Sequence, residues 1–450
     1  MKQRRVLSAV CVSLFVCAAA LLGEAVSGQP ARQGEKWAAS WAASPHGPYP
    51  SGNPSAQPDL AAAFETAEDG AVDQTFRLIV KPDLWGKTAR LRLTNVFGTR
   101  AVTFDDVFVG LQSSGGTVMA GTNRRVRFER GRTSVTVPAG SAATSDAIDL
   151  AFVRNAADPF LIGRKLVVSF HVVGSTGPMT WHAKALTTSY LTAPRSGSHA
   201  GDESDAAFAF TTTSWYFLDA IDVLAPADTV VVACFGDSIT DGTASTLNGD
   251  DRWPDVLSRR LHAAHGARVS VVNAGIGGNR VVSPPAYAVA SPVAGGPSAL
   301  ERFARDVAGL SGVSAVIWLE GINDLSGGAR ADAVIAGMRE VVQRSRARGL
   351  RIFGATIVTS LGSASAHGTP DVDAERQAIN AFIRASGSFD GVVDFDLATR
   401  DPQTGGLRAA FQPNSTTGGP GDRLHPNRAG YQAMGNAVDF RLLAPLFARR

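Results

Sequence analysis

The 450-residue chain carries 43 Lys+Arg against 40 Asp+Glu, a formal charge of +3, with 18% charged and 44% hydrophobic residues. That balance excludes a disordered chain, and with no Lys/Arg run to form a basic surface, no nucleic-acid partner is expected. The length suggests two or three domains.

In chain order, Lys2, Arg4 and Arg5 precede an apolar run from Val6 to Leu22, closed by Ala25-Val26-Ser27. This is the layout of a signal peptide over residues 1–27, and it implies a secreted or periplasmic protein. The rival reading is an uncleaved anchor, but the run is at the short end for a bilayer, so no stable membrane span is expected after cleavage. Cys11 and Cys17 fall inside this segment, which leaves Cys234 alone in the mature chain. An intramolecular disulfide and a thiolate metal cluster are thereby excluded.

Residues 37–225 alternate apolar and polar side chains with period two, as in Thr75–Val80, Arg90–Thr94, Arg124–Phe128 and Leu166–His171, separated by Gly, Asp, Asn and Ser. Short alternating runs of this kind predict an antiparallel β-sandwich or jelly-roll domain. Five of the seven Trp belong here (Trp37, Trp41, Trp85, Trp181 and Trp215), and they are read as packing residues rather than sugar-stacking platforms.

The period changes near Pro226, and residues 228–450 are read as a second domain. Thr229–Phe235 is a strand covered on both faces. A helix follows, with Pro254 in its first turn, Trp253, Val256, Leu257, Leu261 and Ala264 on one face and Gly266 as its stop. Strands are expected at Val269–Val272, Ala315–Leu319, Ile352–Val358 and Val392–Val393. Ser298 and Glu301 have capping-box spacing. One last helix is expected from about Arg428 towards Phe447. Strict β/α alternation predicts a parallel sheet flanked by helices.

In such sheets ligands bind beyond the carboxyl ends of the strands. Four Gly- or Asn-rich turns lie there: Gly236-Asp237-Ser238-Ile239-Thr240-Asp241-Gly242 after the first strand, Asn273 to Arg280 after the second, Glu320-Gly321-Ile322-Asn323-Asp324 after the third, and Gly421-Asp422-Arg423-Leu424-His425-Pro426 before the last helix. Together they hold the parts for acyl transfer. A serine hydroxyl needs an adjacent base, which His425 can supply, and Asp422 can fix the imidazole tautomer. The backbone N–H groups of Ser238 and Gly278 and the side-chain amide of Asn323 are candidate oxyanion donors. Each motif alone has a bland alternative. Gly-Asp-Ser suits any tight turn, Asp-x-x-His suits a helix N-cap near Asn427 or half a metal site, and Gly277-Gly278 suits a turn. No other His stands at metal-ligand spacing near Asp422. His262 and His265 are read as solvated positions near a helix end, and Cys234 as an inert buried thiol.

Taken together, the four turns resemble the conserved blocks of the GDSL/SGNH hydrolases, in the family's order. Ser238 falls at the nucleophile, Gly278 and Asn323 at the oxyanion residues, and Asp422 and His425 at the Asp-x-x-His pair. The resemblance covers roughly residues 229–450. It implies a flavodoxin-like α/β/α sandwich, a serine mechanism with no cofactor and no metal, and hydrolysis of carboxylic esters. The expected substrate is an ester, whether a small molecule, an acylated polysaccharide or a lipid. Acetyl or other short acyl groups on carbohydrate are preferred, with a lipase or lysophospholipase as the rival. From another class stands a catalytically silent carbohydrate-binding or surface protein. The Pro/Ala/Ser/Gly-rich stretch Val281–Pro297 is expected to form a loop over the cleft.

Overall fold

The computed structural model describes residues 34–448. Residues 1–27, expected to be a signal peptide, lie outside the described residues.

Two larger antiparallel sheets and a two-stranded antiparallel ribbon (Trp181–His182 with Trp215–Tyr216) fill the first half. In one, β1 (Glu35–Ala42), β3 (Thr88–Thr94) and β6 (Leu218–Pro226) lie in the order β1-β6-β3, and the short strand Ala142–Thr144 extends it. In the other, β2 (Val72–Val80), β5 (Leu166–Ser175) and β4 (Val102–Ser114) form the centre, flanked by shorter strands. Alternate residues face inward, so Phe76, Phe104, Phe170 and Phe217 meet in one aromatic cluster between the sheets. Trp41, Trp85, Trp181 and Trp215 are all buried, as their reading as packing residues requires.

The second half holds five parallel strands: β7 (Val230–Gly236), β8 (Val269–Gly275), β9 (Val313–Leu319), β10 (Arg351–Ala355) and β11 (Gly391–Val393). Their order is β8-β7-β9-β10-β11, the flavodoxin-like arrangement, with every pairing parallel. Because successive side chains point to opposite faces, Val231, Ala233 and Phe235 join one core, and Val230, Val232 and Cys234 join another. The first face packs on α3 (Ala299–Phe303), α5 (Ala331–Ala347) and α6 (Pro370–Ala385). The second packs on α2 (Trp253–His265), α7 (Phe395–Thr399) and α8 (Arg428–Ala437). Among the described residues, no helix is long and apolar enough to cross a membrane.

The first core continues without a break into the β sandwich. Strand β8 is an edge strand, and edges are covered in stable sheets. Here the β half covers it. The Val271 N–H donates to the Asp83 carboxylate at 2.5 Å, and Ser270 Oγ donates to the Ala39 carbonyl at 2.7 Å. The Ala39 N–H in turn donates to the Ser311 carbonyl at 2.8 Å.

Four local expectations need correction. The Ser298 side chain makes no capping bond: the Glu301 N–H donates to the Ser298 carbonyl at 2.9 Å instead, and the Glu301 carboxylate accepts the Tyr287 N–H at 2.9 Å. Ala264 is exposed, the buried face of α2 ending at Leu261. His262 is not simply solvated, since its Nε2 lies 3.0 Å from Asp83 across the junction between the halves. The last helix is two: α8 stops at Ala437, and Asp439 caps a new helix α9 (Phe440–Phe447) through the Arg441 N–H.

Asp83 accepts from Ser258, His262 and Val271 at once. Asp83→Ala leaves those donors without their partner and should destabilise the fold by about 3 kcal/mol, read as a lowered urea midpoint. An unchanged midpoint would show that the junction does not depend on this carboxylate.

Candidate active site

Three turns meet at the carboxyl edge of the sheet. After β7, Asp237 caps the short helix α1 (Ser238–Asp241) by accepting the Ile239 N–H at 3.0 Å, and Gly242 ends it at φ +106°. Ser238 is therefore the first residue of the helix, with its own N–H unbonded among the described residues. After β8, Gly275 lets α1 lie directly on the strand, since a Cβ there would stand 2.4 Å from the Asp241 nitrogen. After β9 comes α4 (Ile322–Ser326), which carries Asn323.

Before α8, Arg423 adopts φ +59°, and the turn it makes folds Asp422 back on the next residues. Asp422 Oδ1 accepts the N–H groups of Leu424 and His425 at 2.9 and 2.8 Å, and its Oδ2 lies 2.5 Å from His425 Nδ1. His425 Nε2 lies 2.8 Å from Ser238 Oγ. Serine, imidazole and carboxylate thus form one continuous chain. Burial works to raise the Asp422 pKa, but the hydrogen bond and charge of His425 and the two backbone N–H groups outweigh it and hold the carboxyl well below its usual range. Asn427 caps α8 through the N–H groups of Ala429 and Gly430, leaving Asp422 free for His425.

Asn323 Nδ2 donates to the Asn279 carbonyl at 2.9 Å, which ties α4 to the turn after β8. Its second N–H and the Gly278 N–H have no partner among the described residues. Gly278 sits at φ +82°. The five residues singled out from the sequence therefore lie on adjoining turns. Among the described residues, no group of three or more His, Cys, Asp or Glu is arranged to hold a metal ion.

Several residues here escaped the sequence reading. His367 Nε2 lies 3.1 Å from Asn323 Oδ1, and its Nδ1 lies 3.0 Å from Ser365 Oγ. Burial chiefly, then the His425 charge, lowers its pKa. With Asn323 Oδ1 as an acceptor, the proton of neutral His367 belongs on Nε2, and this bond fixes which way the Asn323 amide faces. The signal available was position: His367 stands in the loop after β10, another strand end of the same sheet. Asp324 accepts the N–H groups of Val281 and Val282 at 2.8 and 3.0 Å, fastening one end of the Val281–Pro297 stretch. Asn279 donates to the Gly295 and Pro297 carbonyls and fastens the other. In between, the Tyr287 hydroxyl bonds the Gly47 carbonyl of the β half, and its ring meets Phe97.

A flavodoxin-like α/β/α sandwich with serine, histidine and aspartate chained at the carboxyl edge of its sheet places the parts of a serine hydrolase together. Residues 234–433 match the GDSL-like lipase/acylhydrolase family. The matched segment carries all four turns of the site, and the match supports an ester hydrolase. Its fold is similar to that of a GDSL-like lipase from Bacteroides thetaiotaomicron (16% identity, 48% of this chain and 89% of that one, TM-score 0.35). It is also similar to a carbohydrate acetylesterase family member from Sinorhizobium meliloti (17% identity, 49% and 100%, TM-score 0.37). No curated protein matches the chain.

Behind the site lies Glu320, whose Oε2 accepts the Trp318 indole N–H at 2.7 Å while Oε1 is buried without a partner. Burial raises its pKa from 4.5 to about 8. Above pH 4.5 the unfolded chain releases this proton while the folded chain keeps it, so the folded state binds more protons and loses stability up to about pH 8. Glu320→Gln removes that penalty. The variant should gain on the native protein between pH 5 and pH 8 in urea denaturation, and parallel stability curves would refute the assignment.

Proposed function

We propose that the protein hydrolyses carboxylic esters through a Ser238-His425-Asp422 triad and an acyl-enzyme. The observation that carries this reading is the chain of two short hydrogen bonds, 2.8 Å from Ser238 Oγ to His425 Nε2 and 2.5 Å from His425 Nδ1 to Asp422 Oδ2. Ser238 Oγ attacks the ester carbonyl as His425 Nε2 takes its proton. The imidazolium is stabilised by Asp422, which its N–H partners keep anionic. Negative charge develops on the carbonyl oxygen, and the N–H groups of Ser238 and Gly278 and the free N–H of Asn323 receive it. His425 returns the proton to the leaving alcohol. Water then repeats the sequence on the acyl-enzyme and releases the acid.

The surroundings of Ser238 favour a polar alcohol over a long acyl chain. His367 stands close enough to His425, Asp422 and Arg280 to feel their charges, and Arg423 is two residues from His425 in the chain. A polar, hydrogen-bonding rim suits an acylated sugar, with acetyl or another short acyl group as the part transferred. The amino-terminal pattern of residues 1–27 supports export, which would bring the enzyme to polymers outside the cell or in a periplasm.

With p-nitrophenyl esters from acetyl to palmitoyl, turnover should be greatest for the shortest chains. Ser238→Ala should lower kcat by about four orders of magnitude or more. An optimum at long chains would overturn the carbohydrate reading in favour of lipid, and full activity in Ser238→Ala would overturn the triad. His367→Ala should lower kcat about tenfold with KM little changed, less than the 10²–10³-fold typical of losing an oxyanion donor outright. An unaltered kcat would mean that Asn323 holds its orientation without the imidazole.

A further inference from the structure

We propose that the β sandwich is a working part of the active site, and that Asn53 and His182 from it position the Gly277–Gly278 turn whose N–H receives the oxyanion. The inference rests on reading Gly278 as an oxyanion donor.

Both peptide groups flanking Gly277 are held by side chains. The Gly277 N–H donates to Asp241 Oδ2 at 2.8 Å. The Gly277 carbonyl accepts from Asn53 Nδ2 at 2.7 Å. A trans peptide is planar, and its C=O and N–H point in opposite directions. Fixing the Gly277 carbonyl against Asn53 therefore aims the Gly278 N–H away from the β sandwich. That N–H is one of the unbonded donors of the site. The absence of a Cβ at Gly278 makes this arrangement possible, since a Cβ would stand 2.5 Å from Asn53 Nδ2.

Each clamp is itself anchored in the β half. Asp241 is buried at 1% exposure, and its Oδ1 lies 3.1 Å from His182 Nε2, while His182 Nδ1 lies 2.8 Å from the Ser44 carbonyl. Burial would raise the Asp241 pKa, but His182, Lys184 and Arg252 outweigh it and hold it below the usual range. The carboxylate therefore remains an acceptor for the Gly277 N–H. Asn53 rides on a segment fastened at three points. The Ser51 carbonyl accepts from the Trp181 indole at 3.0 Å, Ser55 Oγ accepts from Lys184 Nζ at 2.7 Å, and Gln57 Oε1 accepts the Thr213 N–H at 2.9 Å. A site mounted on such supports keeps its geometry better than one on a free loop. Asn53 touches neither the serine nor the imidazole in any hydrogen bond. Its part is positional.

Asn53 is exposed, so replacing it should leave the fold intact. The test uses the full chain with p-nitrophenyl acetate. Asn53→Ala should lower kcat about tenfold, with KM within threefold and the thermal midpoint unchanged. Asn53→Asp keeps the shape but sets an acceptor against the Gly277 carbonyl, and it should lose more than the alanine variant. A trifluoromethyl ketone, which forms a tetrahedral oxyanion adduct, should lose affinity by the same factor as kcat/KM falls. His182→Ala should lower kcat in the same way if it remains folded, but the two Asn53 variants are decisive. If both keep kcat within twofold, or if the loss falls on KM alone, the positioning role is overturned. Ser238→Ala, run beside them, separates the two ideas. Its inactivity alongside unaffected Asn53 variants sinks only this inference, whereas its activity sinks the serine mechanism beneath it.

Discussion

One buried guanidinium holds the working edge of this protein together. Arg302 is 1% exposed, and it donates to the Gly236 carbonyl at 2.7 Å, the Ala274 carbonyl at 2.8 Å and Asn279 Oδ1 at 2.6 Å. It also reaches Asp306 and, across the junction, Ser44 Oγ, both at 3.2 Å. Those partners sit at the end of β7, the end of β8, the turn after β8, the segment after α3, and the β sandwich. A buried charge is costly unless every donor is matched, and here each bond fixes a different piece of the site. Gly236 is two residues from the serine, and Asn279 follows the oxyanion glycine and receives the Asn323 amide. The fork geometry of arginine is what allows one side chain to serve so many carbonyls at fixed angles, and a lysine could not replace it.

The same centre explains why the two halves do not read as a catalytic domain with an appendage. The β sandwich covers the exposed edge of β8, shares the apolar core on one face of the parallel sheet, and sends Ser44 to Arg302. It also surrounds Asp241, a residue of the serine turn, with His182 and Lys184. Burial brings the Lys184 amine down to about 8, a measure of how little water reaches this interface. The turn after β8 is thus gripped from the sheet side by Arg302 and Asp241, and from the sandwich side by Asn53 directly and by His182 through Asp241.

The sheet was legible because its signals are local. Val230–Gly236 is a β-branched run ending in glycine, and the strand–helix alternation after it leaves a single topology class. The proposed triad residues were legible because Gly-Asp-Ser and Asp-x-x-His each place their candidate groups within a few residues. Residues joined only by the fold stayed hidden. Asn53 and Gly277 are 224 positions apart, and His182 and Asp241 are 59 apart, each on a piece of chain too short to have a pattern. His367 was missed for a narrower reason, since its Ser/Gly-rich loop looks like any linker until the strand before it is placed beside β9. At Ser298 the cap spacing misled: the serine meets the Glu301 N–H through its carbonyl, and the glutamate accepts a tertiary donor, the Tyr287 N–H. At Asp439 a second helix start lay inside what the apolar pattern alone presents as one helix.

The carboxyl groups around Ser238 divide by environment, and the division suits the chemistry. Asp422 is half open to water and ringed by N–H donors, so it stays anionic where the imidazolium needs a partner. Asp237 adjoins the serine and is fully buried, and burial raises its pKa to about 7. Glu320 and Asp324, behind it, are raised to about 8 and about 6 by the same cause. Full negative charge on these three would oppose the charge that grows on the substrate oxygen, and it would do so in a region of low dielectric where the repulsion is strong. Glu320 keeps its proton to about pH 8 and Asp237 in part to about pH 7, which lessens that opposition, while Asp237 still caps α1 and Asp324, raised only to about 6, still fastens the neighbouring turn. The stability lost by burying acids is therefore tied to the proposed reaction: Glu320 and Asp237 weaken the fold as pH rises, and their protonated forms would favour an oxyanion at the site.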